Sequence, residues 1–209
     1  MIVAIESSST DISLAVGDGD GTPLASDAWT SDRRQGHELL PRLMGLLSSR
    51  GLALQELVAV AVGIGPGSFT GLRVGMSVAK GLAMGVGCPI VGVPSLTAWL
   101  AAEPSAAAAV GRAGARELYL LERGSAEPRI VTPGDDGLTV NGTVVAPVEV
   151  AAAFGIDAAI SPAAAAVAVL AAAAARLHAD PGGDDLARLE PSYLRAPRGI
   201  GQVPHVEAG

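Results

Sequence analysis

The sequence predicts an α/β fold with mixed sheets flanked by helices, on three observations. The chain opens with three short apolar runs separated by turn residues, the mark of an antiparallel meander. Further on, a fully apolar run is linked through a helical stretch to another apolar run, the mark of a parallel crossover. Finally, 49% of the 209 residues are hydrophobic but only 3% are aromatic, so the core has to be assembled from small aliphatic side chains at short backbone distances.

Taken in order, residues 2–5 form the first strand and residues 12–16, alternating around Ser13, the second; residues 24–29 are a weaker third after the turn at 19–23. Leu39, Leu40, Leu43, Met44, Leu46 and Leu47 recur at spacings of three and four and predict a helix over 34–49, stopped by Gly51. Residues 57–64 are apolar throughout and read as a strand covered on both faces. A helix over 68–84 and a strand over 89–93 complete the crossover. The next helix, over 95–102, runs to Glu103, Pro104 and Ser105, the expected boundary between a first lobe (1–104) and a second, reduced lobe (105–187). There, strands are expected over 118–122 and 138–145, helices over 148–154 and 163–177, and a turn at 180–185. The two lobes can be read as diverged copies of one unit.

A net charge of -7 and a single lysine, Lys80, argue against tight autonomous binding of nucleic acid, because Lys and Arg contacts to phosphate supply most of that affinity. Arginines gather at Arg112, Arg116, Arg123 and Arg129 and again at Arg188, Arg195 and Arg198, as solvated surface or as a local basic face. Cys88 is the only cysteine, so no intrachain disulfide forms. His37, His178 and His205 include no pair four residues apart, and no GxSxG elbow occurs, so neither a metal site nor a catalytic constellation is expected. No export signal is read at the amino terminus, and the longest apolar stretch, 163–175, falls short of the roughly 20 residues that a bilayer needs; the expected location is cytoplasmic.

Three segments stand above this background. Residues 63–83, GIGPGSFTGLRVGMSVAKGLA, pass from a buried strand into a helix through a glycine-rich loop, with Ser68 as a natural N-cap. The loop reads as an anion cradle or as a structural turn, and it lacks the Lys of a P-loop. Gly71, Gly75 and Gly81 each cost on the order of 1 kcal/mol inside a helix, so a close approach has to offset them. Gly71, Gly75, Ala79 and Ala83 share one stripe and Val74, Val78 and Leu82 its neighbour, facing either the rest of the chain or a partner. The second segment, ESSSTD at 6–11, is a hydroxyl-rich turn that can hold phosphate oxygens and magnesium, or can satisfy itself. In the third, EPSYLR at 190–195, Tyr193 and Leu194 are expected to dock the tail and Arg195 to stay free to pair.

Residues 1–16 (MIVAIESSSTDISLAV), the 63–83 stretch, PIVGVPSL at 89–96 and EPSYLR, in that order and spacing, resemble the TsaB (YeaZ) family; the run Gly-Pro-Gly-Ser-Phe-Thr-Gly before Arg73 is the most specific part. The resemblance implies an actin-like, sugar-kinase-like (ASKHA) fold of two lobes, with the tail of about 188–209 returning to the first. It implies a non-catalytic dimerisation subunit that binds and activates a larger TsaD-like paralogue, the transferase that threonylcarbamoylates the tRNA adenosine next to the anticodon, in company with a TsaE-like ATPase. A homodimer is implied for the chain alone, with tRNA met only through the complex and no membrane contact. Helices 34–49 and 68–84 would carry the partner interface, here His37, Leu40, Met44, Thr70, Gly71, Arg73, Val74, Gly75, Ser77 and Val78. No cofactor is implied beyond weak nucleotide binding at a vestigial phosphate site, Glu6, Ser7, Ser8 and Asp11. One departure stands out: where the family reads something like DARRGEVY, this chain has RAGARELY at 112–119, without the leading Asp. The alternatives are a stand-alone ATPase or sugar kinase of the same superfamily, dependent on Glu6, Ser7 and Asp11, and a metallopeptidase, which the histidine count disfavours.

Overall fold

The computed structural model describes residues 1–194 apart from 33, 135–137, 139 and 158. Strands β1 (Ile2–Glu6), β2 (Asp11–Gly17) and β3 (Pro23–Thr30) form the expected antiparallel meander. After α1 (Gln35–Ser49), strand β4 (Ala59–Gly63) pairs parallel with β1, and β5 (Ile90–Val93), reached through α2 (Phe69–Val86), pairs parallel with β4. The first sheet is therefore mixed, in the order β3-β2-β1-β4-β5.

Beyond α3 (Ser95–Ala102), a second sheet contains β6 (Ala108–Arg112), β7 (Leu118–Glu122), β8 (Arg129–Val131), β9 (Val144–Val145) and β10 (Ala159–Ile160), in the order β10-β9-β6-β7-β8. In both sheets the first strand is central, the next two extend antiparallel on one side and the last two parallel on the other. Three of these strands escape sequence reading. β6 reads Ala-Ala-Val-Gly-Arg, a composition with little strand preference, and β8 and β10 are too short to show a period. Among the described residues, the strand expected over 138–145 pairs at Val144 and Val145, and residue 139 lies outside them.

The two faces of the first sheet carry different side chains, with the alanines gathered on one of them, because alternate residues point to opposite faces. Val3, Ile5, Leu14, Val16, Val60 and Val62 meet Leu39, Leu43 and Leu47 of α1 and Met76, Ala79 and Leu82 of α2. The opposite face carries Ile2, Ala4, Ala15, Ala59 and Ala61, and α5 (Ala165–Ala179) lies on it with Ala166, Val169, Leu170, Ala173 and Ala174. Small residues on both partners let the helix come close to the sheet, as the composition requires.

Two helices cross between the sheets. α3 follows the first sheet in the chain but packs Leu96, Trp99 and Leu100 on Ala109, Tyr119, Leu121 and Val145 of the second. α5 follows the second sheet's strands and covers the first. Its N-cap residue, Ala164, has no side chain to offer, and the Ser13 hydroxyl from β2 accepts from the Ala166 amide at 3.0 Å instead. α4 (Val148–Phe154) closes the other face of the second sheet with Val150 and Phe154. Among the described residues no helix is long and apolar enough to cross a membrane.

Candidate functional site

The glycine-rich loop is locked over the β1–β2 turn. The Ser68 amide donates to the Ser8 carbonyl at 2.6 Å, and the Ser7 hydroxyl donates to the Gly71 carbonyl at 3.0 Å. A side chain at Gly67 or Gly71 would strike the carbonyl oxygens of Ser8 and Ser7, and one at Gly75 would strike the Ser7 hydroxyl. The close approach that offsets Gly71 and Gly75 is thus made by the chain's own first turn, whereas Gly81 meets no neighbouring atom. Gly71 and Gly75 are buried and are removed from the expected partner interface; Gly75→Leu would disrupt the fold itself. At the far end of the loop, the Gly65 amide donates to Ser95 Oγ at 3.0 Å and the Ser95 amide to the Gly65 carbonyl at 2.9 Å.

The expected phosphate residues are mostly committed elsewhere. Asp11 Oδ1 accepts from Thr30 Oγ1 at 2.8 Å and Oδ2 from Ser161 Oγ at 2.9 Å, so this carboxylate ties β3 to the segment after β10. Glu6 is fully buried, with Oε1 accepting from the Ser8 amide at 2.7 Å. Burial pushes its carboxyl up from the ordinary value, outweighing the opposing pull of Ser8, Ser95 and Trp99. Glu6 Oε2 and Trp99 Nε1 nevertheless lack hydrogen-bond partners, as do Ser8 Oγ and Thr10 Oγ1. Of Glu6, Ser7, Ser8 and Asp11, Ser8 is the one that borders the open space between the two sheets. The physical reason is packing: the turn is roofed by the glycine loop and held by its own serines.

That open space is a cleft of about 1620 Å³ between the two sheets. One wall is Ser8, Ser9, Thr10, Thr30 and Ser31 with the first turn of α2; facing it are the β6–β7 turn, with Arg112 and Arg116, and α4. The α2 turn also meets the tail: Arg73 stacks 3.9 Å from the Phe69 ring centroid, and the Phe69 and Tyr193 rings lie 5.5 Å apart. The tail is further anchored by the Ser192 amide on the Ile64 carbonyl at 2.7 Å and by Asp184, which accepts from the Gly92 amide and from Arg176, each at 2.7 Å. Arg195 lies outside the described residues. Sequence reading found Tyr193 but not Asp184 or its Arg176 partner, whose separation gives no local signal.

The outer face of α1 and α2 holds the remaining interface candidates. His37, Leu40 and Met44 of α1 and Thr70, Arg73 and Ser77 of α2 are exposed, whereas Val74 and Val78 are half-buried against the first core. Met84 joins this face at 69% exposure, and Gly36, Gly45, Gly81 and Gly85 meet no neighbouring atoms that an added side chain would touch. Among the described residues no three of His, Cys, Asp and Glu gather as metal ligands.

Two mixed sheets of one strand plan, facing each other across a cleft and flanked by helices, define a two-lobed α/β protein of the actin-like class. A family model described as TsaD, tRNA N6-adenosine threonylcarbamoyltransferase, matches residues 31–136, half of the chain. The chain belongs to that family, in its TsaB (YeaZ) branch. It is 38% identical over 95 residues to the tRNA threonylcarbamoyladenosine biosynthesis protein TsaB of Escherichia coli K12, covering 46% of this chain and 40% of that one. It is 43% identical over 68 residues to the TsaB of Haemophilus influenzae, covering 32% and 29%. These matches therefore span less than half of either relative. The structure of YeaZ from Pseudomonas aeruginosa superposes with a TM-score of 0.69 at 23% identity, over 92% of this chain and 99% of that one, and so shares the fold.

Proposed function

We propose that this chain is a non-catalytic dimerising subunit that binds and activates a TsaD-like transferase in the threonylcarbamoylation of the tRNA adenosine next to the anticodon. It works in the cytoplasm with a TsaE-like ATPase, meets tRNA only through the complex, and forms a homodimer when alone. The observation that carries the reading is the outer face of α1 and α2. Leu40 and Met44 are each more than 40% exposed there, beside Met84 and four unobstructed glycines, so a second pair of helices can approach closely. The names of the TsaB relatives supply the pathway. The ATPase or sugar-kinase reading loses its support at Asp11, whose two carboxylate oxygens are already taken by Thr30 and Ser161.

Light scattering behind size exclusion, on the chain alone and mixed with the TsaD-like protein of the same organism, tests it. A mixed complex is expected, and Met44→Asp should weaken it severalfold with unchanged circular dichroism, since Met44 is exposed in the monomer. Independent elution at every salt concentration, with and without nucleotide, would sink the proposal.

A further inference from the structure

The stripe that α2 turns outward is not apolar. Arg73, Ser77, Lys80 and Met84 follow one another at spacings of four, three and four, which is how the core positions of a coiled-coil seam recur, so all four share one side of the helix. Arg73, Ser77 and Met84 are exposed and Lys80 is half-buried. Two of the four seam positions thus hold cations, about 10 Å apart along the axis. No Asp or Glu occurs among the 18 residues of α2. Among the described residues neither cation has a carboxylate partner. Arg73 lies over the Phe69 ring with its Nε 3.5 Å from the Tyr193 hydroxyl, and Lys80 Nζ meets the Ala187 carbonyl at 3.5 Å. The tail acids Asp185 and Glu190 come within ion-pairing distance of neither; Asp185 pairs with Arg188 at 3.6 Å. On α1 the charged side chains are drawn towards β3 instead. Glu38 accepts from Trp29 Nε1 at 3.0 Å and from Ser31 Oγ at 2.7 Å, and Arg42 pairs with Asp27 at 3.0 Å. This leaves Leu40 and Met44 as the apolar part of the α1 side.

We infer that the α1–α2 face selects a partner helix that sets carboxylates against Arg73 and Lys80, and that it discriminates against a second copy of this chain. This rests on the reading of that face as the partner surface. A cation at a core position of a helix pair costs stability unless the partner supplies its counter-charge. A second copy packed on the same face about a two-fold axis brings two more cations from its own α2 and no acid. Like charges brought together across an interface cost affinity, whereas opposite ones speed association and fix register. The fitting partner therefore matches an apolar stripe at Leu40, Met44 and Met84 and carries Asp or Glu two helical turns apart. With a net charge of -7 on the chain, the attraction for such a partner comes from these two local charges and not from the field of the whole molecule. The homodimer is the weaker of the two assemblies on this account.

The test is sedimentation of the full chain, alone and with the TsaD-like protein of the same organism, at about 50 and about 500 mM salt. The mixed complex should weaken about tenfold or more over that range, because its charge pairs are screened. Charge variants separate the local effect from the net charge. Lys80→Glu and Arg116→Glu change the net charge equally, but Arg116 stands on the β6–β7 turn, across the cleft from α2. At the lower salt concentration Lys80→Glu should weaken the mixed complex about tenfold, and Arg116→Glu less than about twofold, both with unchanged circular dichroism. Lys80→Met, which keeps the length of the side chain and removes its charge, should weaken the mixed complex severalfold and tighten self-association of the chain alone. A mixed complex that is indifferent to salt overturns the inference and leaves the partner reading standing. So does equal affinity in Lys80→Glu and Arg116→Glu, or a Lys80→Met protein that binds the partner as tightly as wild type. Absence of any mixed complex at both salt concentrations sinks the partner reading and this inference with it.

Discussion

Gly71 and Gly81 sit on the same helix under opposite demands. A methyl at Gly71 would collide with the backbone carbonyl of Ser7, which cannot rotate away, whereas Gly81 faces open space. Gly71→Ala should therefore lower stability by about 1–3 kcal/mol, as overpacking does, and Gly81→Ala should raise it by about 0.5–1 kcal/mol through helix propensity. Urea midpoints of the two variants give the signs, and a Gly71→Ala protein as stable as wild type would refute the packing account. Glu6 makes a second claim at this scale. Its folded carboxyl titrates above the ordinary value because burial penalises charge, so the folded state holds the proton more tightly than the unfolded chain does. Its stabilising contribution is complete below the unfolded value and is lost as pH rises through the folded one. Glu6→Gln keeps the acceptor for the Ser8 amide and cannot ionise. The variant should hold its melting temperature as pH is raised from about 4 to 8, where wild type declines on this account. A gap between the two proteins that does not vary with pH would contradict the assignment. Ser7, Glu6 and the helix glycines were all visible in the sequence as unusual residues, but which atoms they touch was not, since a glycine stripe announces a close approach without naming the approaching chain.

At the scale of elements, hydrophobic period identified the long helices and the central strands, because each has an apolar face that a reader can count. α4 occupies 148–154 as expected, and α1, α2 and α5 fall within two or three residues of expectation. β8 and β10 are three and two residues long and are strands only because a neighbour pairs with them. The segment after α5 shows the same dependence. A turn was legible at 180–185, yet what it does is anchor the tail through Asp184. Burial pushes that carboxyl up, but the Arg176 hydrogen bond, the Gly92 amide and the Arg176 charge together hold it below its ordinary value. Asp184→Ala should cost about 1 kcal/mol, since the pair is partly exposed, and should speed proteolytic release of the tail. Unchanged cleavage kinetics would mean that Tyr193 and the Ser192 amide hold the tail by themselves.

For the whole molecule, the crossing of α3 and α5 makes each lobe depend on the other. Without α5, the face formed by Ile2, Ala4, Ala15, Ala59, Ala61, Val91 and Val93 would meet water. We expect residues 1–104, produced alone, to bind a hydrophobic dye and to unfold without a sharp transition, while the full chain melts in one step. A fragment that unfolds cooperatively and ignores the dye would show that the first sheet needs no second-lobe helix. The same crossing sets the cleft, because α3 and the Asp11 link to Ser161 join the two sheets across it.

The amino-acid sequence by itself determined the alternation of large and small residues along β4, the apolar stripes of α1 and α2, the Ser68 cap and the glycine loop. Each of these is a local property, set by side-chain volume, period and backbone freedom within a few residues. Only the tertiary structure decided that α5 covers the first sheet and α3 the second, and that Ser13 caps a helix far along the chain. It also decided that Gly71 and Gly75 receive the first turn instead of a partner, and that Asp11 serves as an inter-lobe tie. Periodicity states which face must be covered; what covers it depends on contacts between distant segments, and those exist only once both segments have folded together.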